Sequence, residues 1–256
     1  MNELHAKSVV VGIDGSQAAI NAARWAIDEA VNRQLPLRLI YVIPRLGAQI
    51  ASSCISVWEL DRGEMVLRQA ECAAREARKP VEVETAVFSG EPEEVLLNES
   101  RDAARVCVGT ARGGWETEKL LGPTASALAT HAHCPVAIIR SNCDGMLTER
   151  GVIAVVLNDD PDNDEVVHDA MEEGRRRNAI VRQIDGRLNS WVRRYPDVHV
   201  EIVAAGGGVN THENHSTAID LAVVGRSDAG KITGLTTPNC HPIVGYPDCS
   251  VLVVRD

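Results

Sequence analysis

The sequence predicts an α/β architecture of two tandem, Rossmann-like units, each a doubly wound parallel sheet, and three observations carry that prediction. Short apolar runs alternate with segments of helical periodicity, so that each strand is followed by a crossover helix. At 45% hydrophobic but only 3% aromatic residues, the core must be built from Val, Ile, Leu and Ala, the usage of strands buried on both faces. The same series of segments also occurs twice along the 256 residues.

The first strand is Val9 to Ile13, VVVGI, and it ends at Asp14-Gly15-Ser16, where Ser16 can cap a helix carrying Ala19, Ala23, Ile27 and Ala30 on one face. A second strand, Leu37 to Ile43, stops at Pro44. A long helical pattern then runs from about Trp58 to Lys79 and closes at Pro80. The third strand is read at Val81 to Val87, followed by Ser89-Gly90-Glu91-Pro92 and a helix to about Asp102. The fourth, Arg105 to Val108, enters the glycine-rich stretch GTARGGWETEKLLGPTAS, and after a helix from Thr124 to His133 comes a fifth, Pro135 to Arg140.

In the second half, GVIAVVL from Gly151 matches the first strand, Val198 to Val203 the third, and Asp220 to Gly225 the fourth. Asp248 to Arg255 matches His133 to Arg140. Gly109 and Cys134 are 25 positions apart, and Gly225 and Cys249 are 24 apart. These matches divide the chain into residues 1–143 and 151–256. Ile43 to Val81 spans 38 positions but Ile184 to Val198 only 14, so the second half has lost most of its second helix, with Leu188 to Arg194 as a short remnant. Its exposed sheet face is expected to be shielded by the first half, giving one rigid pseudo-symmetric unit.

A net charge of −10 gives no electrostatic footprint for nucleic acid or an anionic membrane. No apolar run is long enough to span a bilayer, and MNELHAKSVVVGID lacks the order of a secretion signal, so a cytoplasmic protein is expected. Seven cysteines without a C-x-x-C pair are expected to be reduced thiols, several of them within apolar strands.

The glycine-rich stretch has the chemistry of an anion site. A strand that breaks at Gly109 and re-enters a helix through Gly122-Pro123 brings free backbone N–H groups and the positive end of a helix dipole to one point. An ordinary turn between strand and helix accounts for the same residues. Asp14 likewise has two readings, a polar group at the end of the first strand and simple turn chemistry before a helix.

The residues resemble the universal stress protein family in its tandem form, in particular its actinobacterial, mycobacterial-type members. The resemblance is carried by VVGIDGS at 10–16, ARWA at 23–26, Glu29-Ala30, Val108-Gly109-Thr110 and HAHCPVA at 131–137. It implies a five-stranded parallel sheet in the order 3-2-1-4-5, and ATP bound between strands one and four, with Mg2+ accompanying it. Such sheets take ligands at the carboxyl ends of strands where the order reverses. The implied nucleotide-binding set is Gly12, Asp14, Val42, Gly109, Thr110, Arg112, Gly113, Gly122, Pro123 and Thr124. Asp14 would face polar groups of adenine or ribose, Val42 would lie beside the base, and the loop would hold the phosphates.

This sequence departs from the family's G-x2-G-x9-G-S/T pattern at two of four elements. Arg112 stands at the second glycine, with Gly113 and Gly114 one and two places late, and Pro123 stands at the hydroxyl position. Proline removes a hydroxyl and an N–H, while Thr124 or Ser126 could offer a hydroxyl in exchange. The second half has Asn158 in place of Asp14 and Asp228 in its loop, which fits a degenerate, structural copy.

His131, His133 and Cys134 are explained by the family closure rather than by a metal, and no hydrolase or kinase motif occurs. The expectation is therefore a regulatory binding protein of the stress response, not an enzyme, with an adenine-nucleotide site in its first half. The alternative is a nucleotide-free scaffold acting through dimerisation and a protein partner. Pro135 to Arg140 and Ser250 to Arg255 are the edges by which halves or subunits would pair, as a homodimer or as an intramolecular pseudo-dimer.

Overall fold

Strand β1, Ser8–Ile13, is buried along nearly its whole length, as a continuous run of branched aliphatic residues requires. It leads into a turn with Gly15 at φ +87°, a backbone setting that suits glycine. The Asp14 Oδ1 accepts the Ser16 N–H at 2.8 Å, and the Ser16 Oγ accepts the Ala19 N–H at 3.1 Å. These bonds start helix α1, Gln17–Arg33. Gln34 ends it in the left-handed conformation, its N–H reaching the Ala30 and Val31 carbonyls. Ala18, Ala19, Ala22, Ala23, Ala26 and Ala30 are buried, and their small side chains let α1 lie close on the sheet.

The computed structural model describes residues 7–44, 57–111, 121–141, 151–156, 163–184, 194–203, 219–226 and 249–255. The first half continues with β2 (Leu37–Ile43), α2 (Val57–Glu76), β3 (Val83–Ser89), α3 (Pro92–Glu99), β4 (Ala103–Ala111), α4 (Pro123–His131) and β5 (Val136–Ser141). The second supplies β6 (Val152–Val156), α5 (Asn163–Arg177), β7 (Ile180–Ile184), β8 (Val200–Val203), β9 (Leu221–Val224) and β10 (Ser250–Val253). No helix of the described residues is long and apolar enough to cross a membrane.

All ten strands form one sheet in the order β3-β2-β1-β4-β5-β10-β9-β6-β7-β8. Each half therefore has the expected 3-2-1-4-5 order. Every neighbouring pair is parallel except β5 and β10, which join antiparallel with Val251 opposite Ile138 and Val253 opposite Val136. The fifth-strand edges thus pair the two halves within the chain.

Several boundaries differ from the sequence expectation. The third strand starts at Val83 rather than Val81 because Arg78 adopts φ +52° and the Val81 N–H turns back to the Lys79 carbonyl. The third helix stops at Glu99, where the N–H groups of Arg101 and Asp102 bond three residues back and tighten the chain into turns. The fourth strand extends well past its apolar run, to Ala111, because β5 continues the ladder with Ala111 opposite Ser141. The fourth helix begins at Pro123 and ends at His131, two residues early. In the second half, β8 starts at Val200, after the Val198 N–H has bonded the Tyr195 carbonyl. The expected remnant helix, Leu188 to Arg194, lies outside the described residues apart from Arg194.

Shielding of the second half by the first is also corrected. Strands β7 and β8 lie at the far end of the sheet from the first half. Instead Tyr195 and Val198, both 8% exposed, pack with Val166, Val167, Ala170 and Met171 of α5 over that face.

The halves meet through charge as well as strand pairing. Arg105 at the start of β4 is fully buried, and its Nη1 lies 3.1 Å from Glu29 Oε1 of α1 and 3.0 Å from Glu173 Oε1 of α5. Its Nη2 donates to Asp169 Oδ2 at 3.0 Å. Arg176 reaches Glu29 across the seam at 2.5 Å, Arg177 holds Glu173 at 2.8 Å, and Arg33 pairs with Glu29. The Arg177 guanidinium also lies over the Trp25 ring at 4.7 Å. The arrangement is not symmetric. Arg105 pairs with Val9 of β1 where Leu221 pairs with Ile153 of β6, so an apolar residue takes the equivalent place in the second half.

Of the cysteines, Cys107, Cys134 and Cys249 are buried and unbridged while Cys72 is exposed. Burial pushes the Cys134 thiol up to about 11 and the Cys107 and Cys249 thiols higher still, which keeps them protonated and inert at neutral pH. Cys54, Cys143 and Cys240 lie outside the described residues.

Candidate functional site

The strand order reverses between β1 and β4, and a cleft of about 410 Å³ opens there at their carboxyl ends. Its walls come from six elements, one of them α1 through Ala19. Gly12, Ile13 and Asp14 end β1; Ile40, Tyr41 and Val42 belong to β2; Val108, Gly109 and Thr110 belong to β4. Pro92 and Leu96 of α3 form one side, and Gly122, Pro123, Thr124 and Ala125 at the start of α4 form the other. The size is that of a small-molecule site, and its lining is chiefly apolar.

Eight of the residues singled out from the sequence converge on this cleft: Gly12, Asp14, Val42, Gly109, Thr110, Gly122, Pro123 and Thr124. Arg112 and Gly113 fall on 112–120, outside the described residues. The alternating pattern of β2 could not reveal Ile40 and Tyr41 as walls, because that strand is covered on both faces. The Tyr41 ring packs on the opposite face of the sheet from Ile40 and Val42, against α2, whose Gly63 approaches so closely that a Cβ would stand 2.8 Å from the ring.

The glycines of the cleft have different physical roles. A Cβ on Gly109 would lie 2.1 Å from the Ala18 carbonyl carbon and oxygen and 2.5 Å from the Ala19 nitrogen. Gly109 is therefore a packing glycine that lets β4 meet the first turn of α1. A Cβ on Gly12 would meet Leu96 Cδ1 at 2.9 Å. At Gly122 a Cβ would meet nothing within 4 Å, so bare backbone there opens onto free space.

Helix α4 begins without a side-chain cap, because Gly122 occupies the cap position and Pro123 the first turn. Pro123 has no N–H, and the Ser126 N–H already bonds the Gly122 carbonyl at 2.9 Å. The donors left facing the cleft are the backbone N–H groups of Thr124 and Ala125, together with the positive end of the helix dipole. Asp14 is the one charged residue among the described cleft residues. It is exposed, and while Oδ1 holds the turn onto α1, the carboxylate keeps acceptor capacity toward the cleft. Both roles considered for Asp14 are thus compatible in one side chain.

His131, the last residue of α4, and His133 just beyond it are exposed, and no group of three or more His, Cys, Asp or Glu able to hold a metal occurs among the described residues. In the second half the position of Asn158 and the loop after Arg226 lie outside the described residues.

The universal stress protein family model matches residues 5–140. Over 265 residues the chain is 37% identical to the universal stress protein Rv2624c of Mycobacterium tuberculosis, covering 97% of this chain and 96% of that protein. It is 34% identical to Rv3134c of the same organism over 274 residues, covering 98% and 96%. Among solved structures, a universal stress protein from Archaeoglobus fulgidus aligns with a TM-score of 0.66 over 98% of this chain and 97% of that one, at 12% identity, a likeness of fold. The chain therefore belongs to the universal stress protein family, in its tandem form.

Proposed function

We propose that this universal stress protein works by binding, and that its first half takes up an adenine nucleotide in the cleft between β1 and β4. The observation that carries this is the convergence of an apolar slot, one carboxylate and an uncapped helix start on one cavity. Ile40, Val42 and Leu96 offer the apolar walls that suit a planar base. Asp14 would accept a hydrogen bond from a ribose hydroxyl or from the adenine amino group, and the N–H groups of Thr124 and Ala125 would receive phosphate. The chemistry of these groups fits the ligand that the family resemblance implies. ATP with Mg2+ is the proposed form; among the described residues Asp14 is the one lining carboxylate, so the metal would be held chiefly by the phosphates. A bound nucleotide would alter a surface read by a protein partner.

Calorimetric titration with ATP and Mg2+ tests the proposal. Asp14→Asn keeps an oxygen for the turn onto α1 but removes the charge, and is expected to weaken binding about ten- to a hundredfold. Pro123→Ser restores an N–H and a hydroxyl at the start of α4 and is expected to tighten binding by roughly tenfold. Absence of heat from the wild type, with binding appearing in Pro123→Ser, would instead favour the scaffold reading, in which proline has disabled the site.

A further inference from the structure

Helix α4 is held by the other half of the chain. It has nine residues and is therefore only ~13 Å long, too short to be stable by its own hydrogen bonds. Its inner face is buried through Ala125, Leu128 and Ala129, but its end lacks the usual backbone device. Where α1 closes with a left-handed residue whose N–H returns to two carbonyls, α4 runs straight out through Ala132 at φ −58°, ψ 156°. The Ala132 N–H serves only the Leu128 carbonyl. The later carbonyls need another donor.

That donor is Arg255, which lies just beyond β10 in the second half. It is 8% exposed, and its guanidinium is fitted to the end of α4. Nη2 donates to the Leu128 carbonyl at 3.2 Å and also to the Ala129 carbonyl, while Nη1 points to the Thr130 carbonyl at 3.4 Å. A planar cation with several donors can serve three carbonyls at once, and its charge opposes the negative end of the helix dipole. The antiparallel β5–β10 pairing brings Arg255 across the seam to this point. In the sequence repeat it answers Arg140, as the closing arginine of its half.

We propose that Arg255 is a positioning residue for the cleft, through which the degenerate second half sets the placement and dipole of the helix that receives phosphate. The inference rests on the nucleotide reading given above. The opposite end of α4 is where Thr124 and Ala125 present their N–H groups, and nothing at Gly122 or Pro123 caps that end. Arg255 therefore acts on the phosphate end of a ligand through the body of the helix and leaves the apolar slot untouched.

The test compares Arg255→Met, which keeps length and apolar contact, with Arg255→Lys, which keeps charge but loses the fork. For each, affinity is measured for ATP, AMP and adenosine, and hydrogen exchange is followed along α4 and α1. Arg255→Met is expected to weaken ATP and AMP roughly three- to tenfold, to leave adenosine unchanged, and to speed exchange in α4 but not in α1. Arg255→Lys should recover part of each loss. General destabilisation would weaken all three ligands alike and speed exchange in both helices, which would overturn the proposal. Unchanged ATP affinity with unchanged exchange in α4 would also overturn it. If Arg255→Met does not fold, partial loss confined to the phosphate-bearing ligands in Arg255→Lys supports the proposal, and wild-type behaviour there refutes it. If the wild type binds none of the three ligands, the nucleotide reading has failed and this role falls with it. Faster exchange in α4 alone would then show that Arg255 holds the helix but serves no nucleotide.

Discussion

Gly109→Ala is expected to cost about 3–5 kcal/mol of folding stability, although it adds a single methyl group. The new Cβ would sit 2.1 Å from the Ala18 carbonyl carbon and oxygen, and these are backbone atoms of a capped helix rather than the tip of a movable side chain. Relief would require α1 to lift from β4, opening a core that includes Ala19, Ala22, Ala23 and Cys107. Gly122→Ala is the matching control. Its φ of −69° suits any residue, its Cβ would meet nothing within 4 Å, and the expected change is within about 1 kcal/mol. Urea unfolding of the two variants checks both statements. Similar midpoints would mean that the close approach of β4 to α1 does not matter to stability. The contrast bears on function too, because a family pattern treats the two glycines alike while their surroundings do not.

Arg105→Met is expected to cost about 3–4 kcal/mol, because it leaves Glu29 and Glu173, each with a side chain 1% exposed, short of a buried partner. Arg33, Arg176 and Arg177 remain to balance part of their charge, but each is partly exposed and approaches from the rim. Replacing Arg105, Glu29 and Glu173 together by Leu, Leu and Met is expected to recover part of the loss, since the charges left behind, on Asp169, Arg33, Arg176 and Arg177, are all partly exposed and can be hydrated. Denaturant unfolding of the single and triple variants measures the difference, and a single variant as stable as wild type would remove the seam's claim to importance.

The same cluster predicts a response to acid. Burial by itself raises the carboxyl pKa of Glu173, but the guanidinium groups of Arg177, Arg176 and Arg105 outweigh it and hold the value down to about 2, against 4.5 for an ordinary glutamate. The unfolded chain therefore binds this proton more tightly than the folded one. The stability Glu173 contributes is complete above about pH 4.5 and drains away as pH falls toward about 2. A stability profile for Glu173→Gln should be flatter than wild type across that window, and parallel profiles would contradict the assignment.

The sequence alone determined the features that rest on local chemistry. The buried first strand, the Asp-Gly-Ser turn with its serine cap, the alternation of strand and helix, and the doubling of the whole series all follow from side-chain periodicity and turn preferences. Bringing Asp14, Gly109 and Gly122-Pro123-Thr124 to one place took the family resemblance as well, since it implied the strand order whose reversal dictates where such a sheet opens. Boundaries such as Val83 and Glu99 escaped, since they depend on single backbone turns that composition does not encode.

Only the tertiary structure decided how distant parts meet. Arg105 finds Glu173 at a separation of 68 positions, and Arg255 finds Leu128 at 127. Neither arginine carries a local signal of its partner, because a charge in a strand reads as polar until the topology supplies a carboxylate or a helix end. The roles of the glycines were hidden for a similar reason. Whether a missing Cβ makes room for a helix backbone, as at Gly109, or opens onto empty space, as at Gly122, depends on what the fold places opposite it.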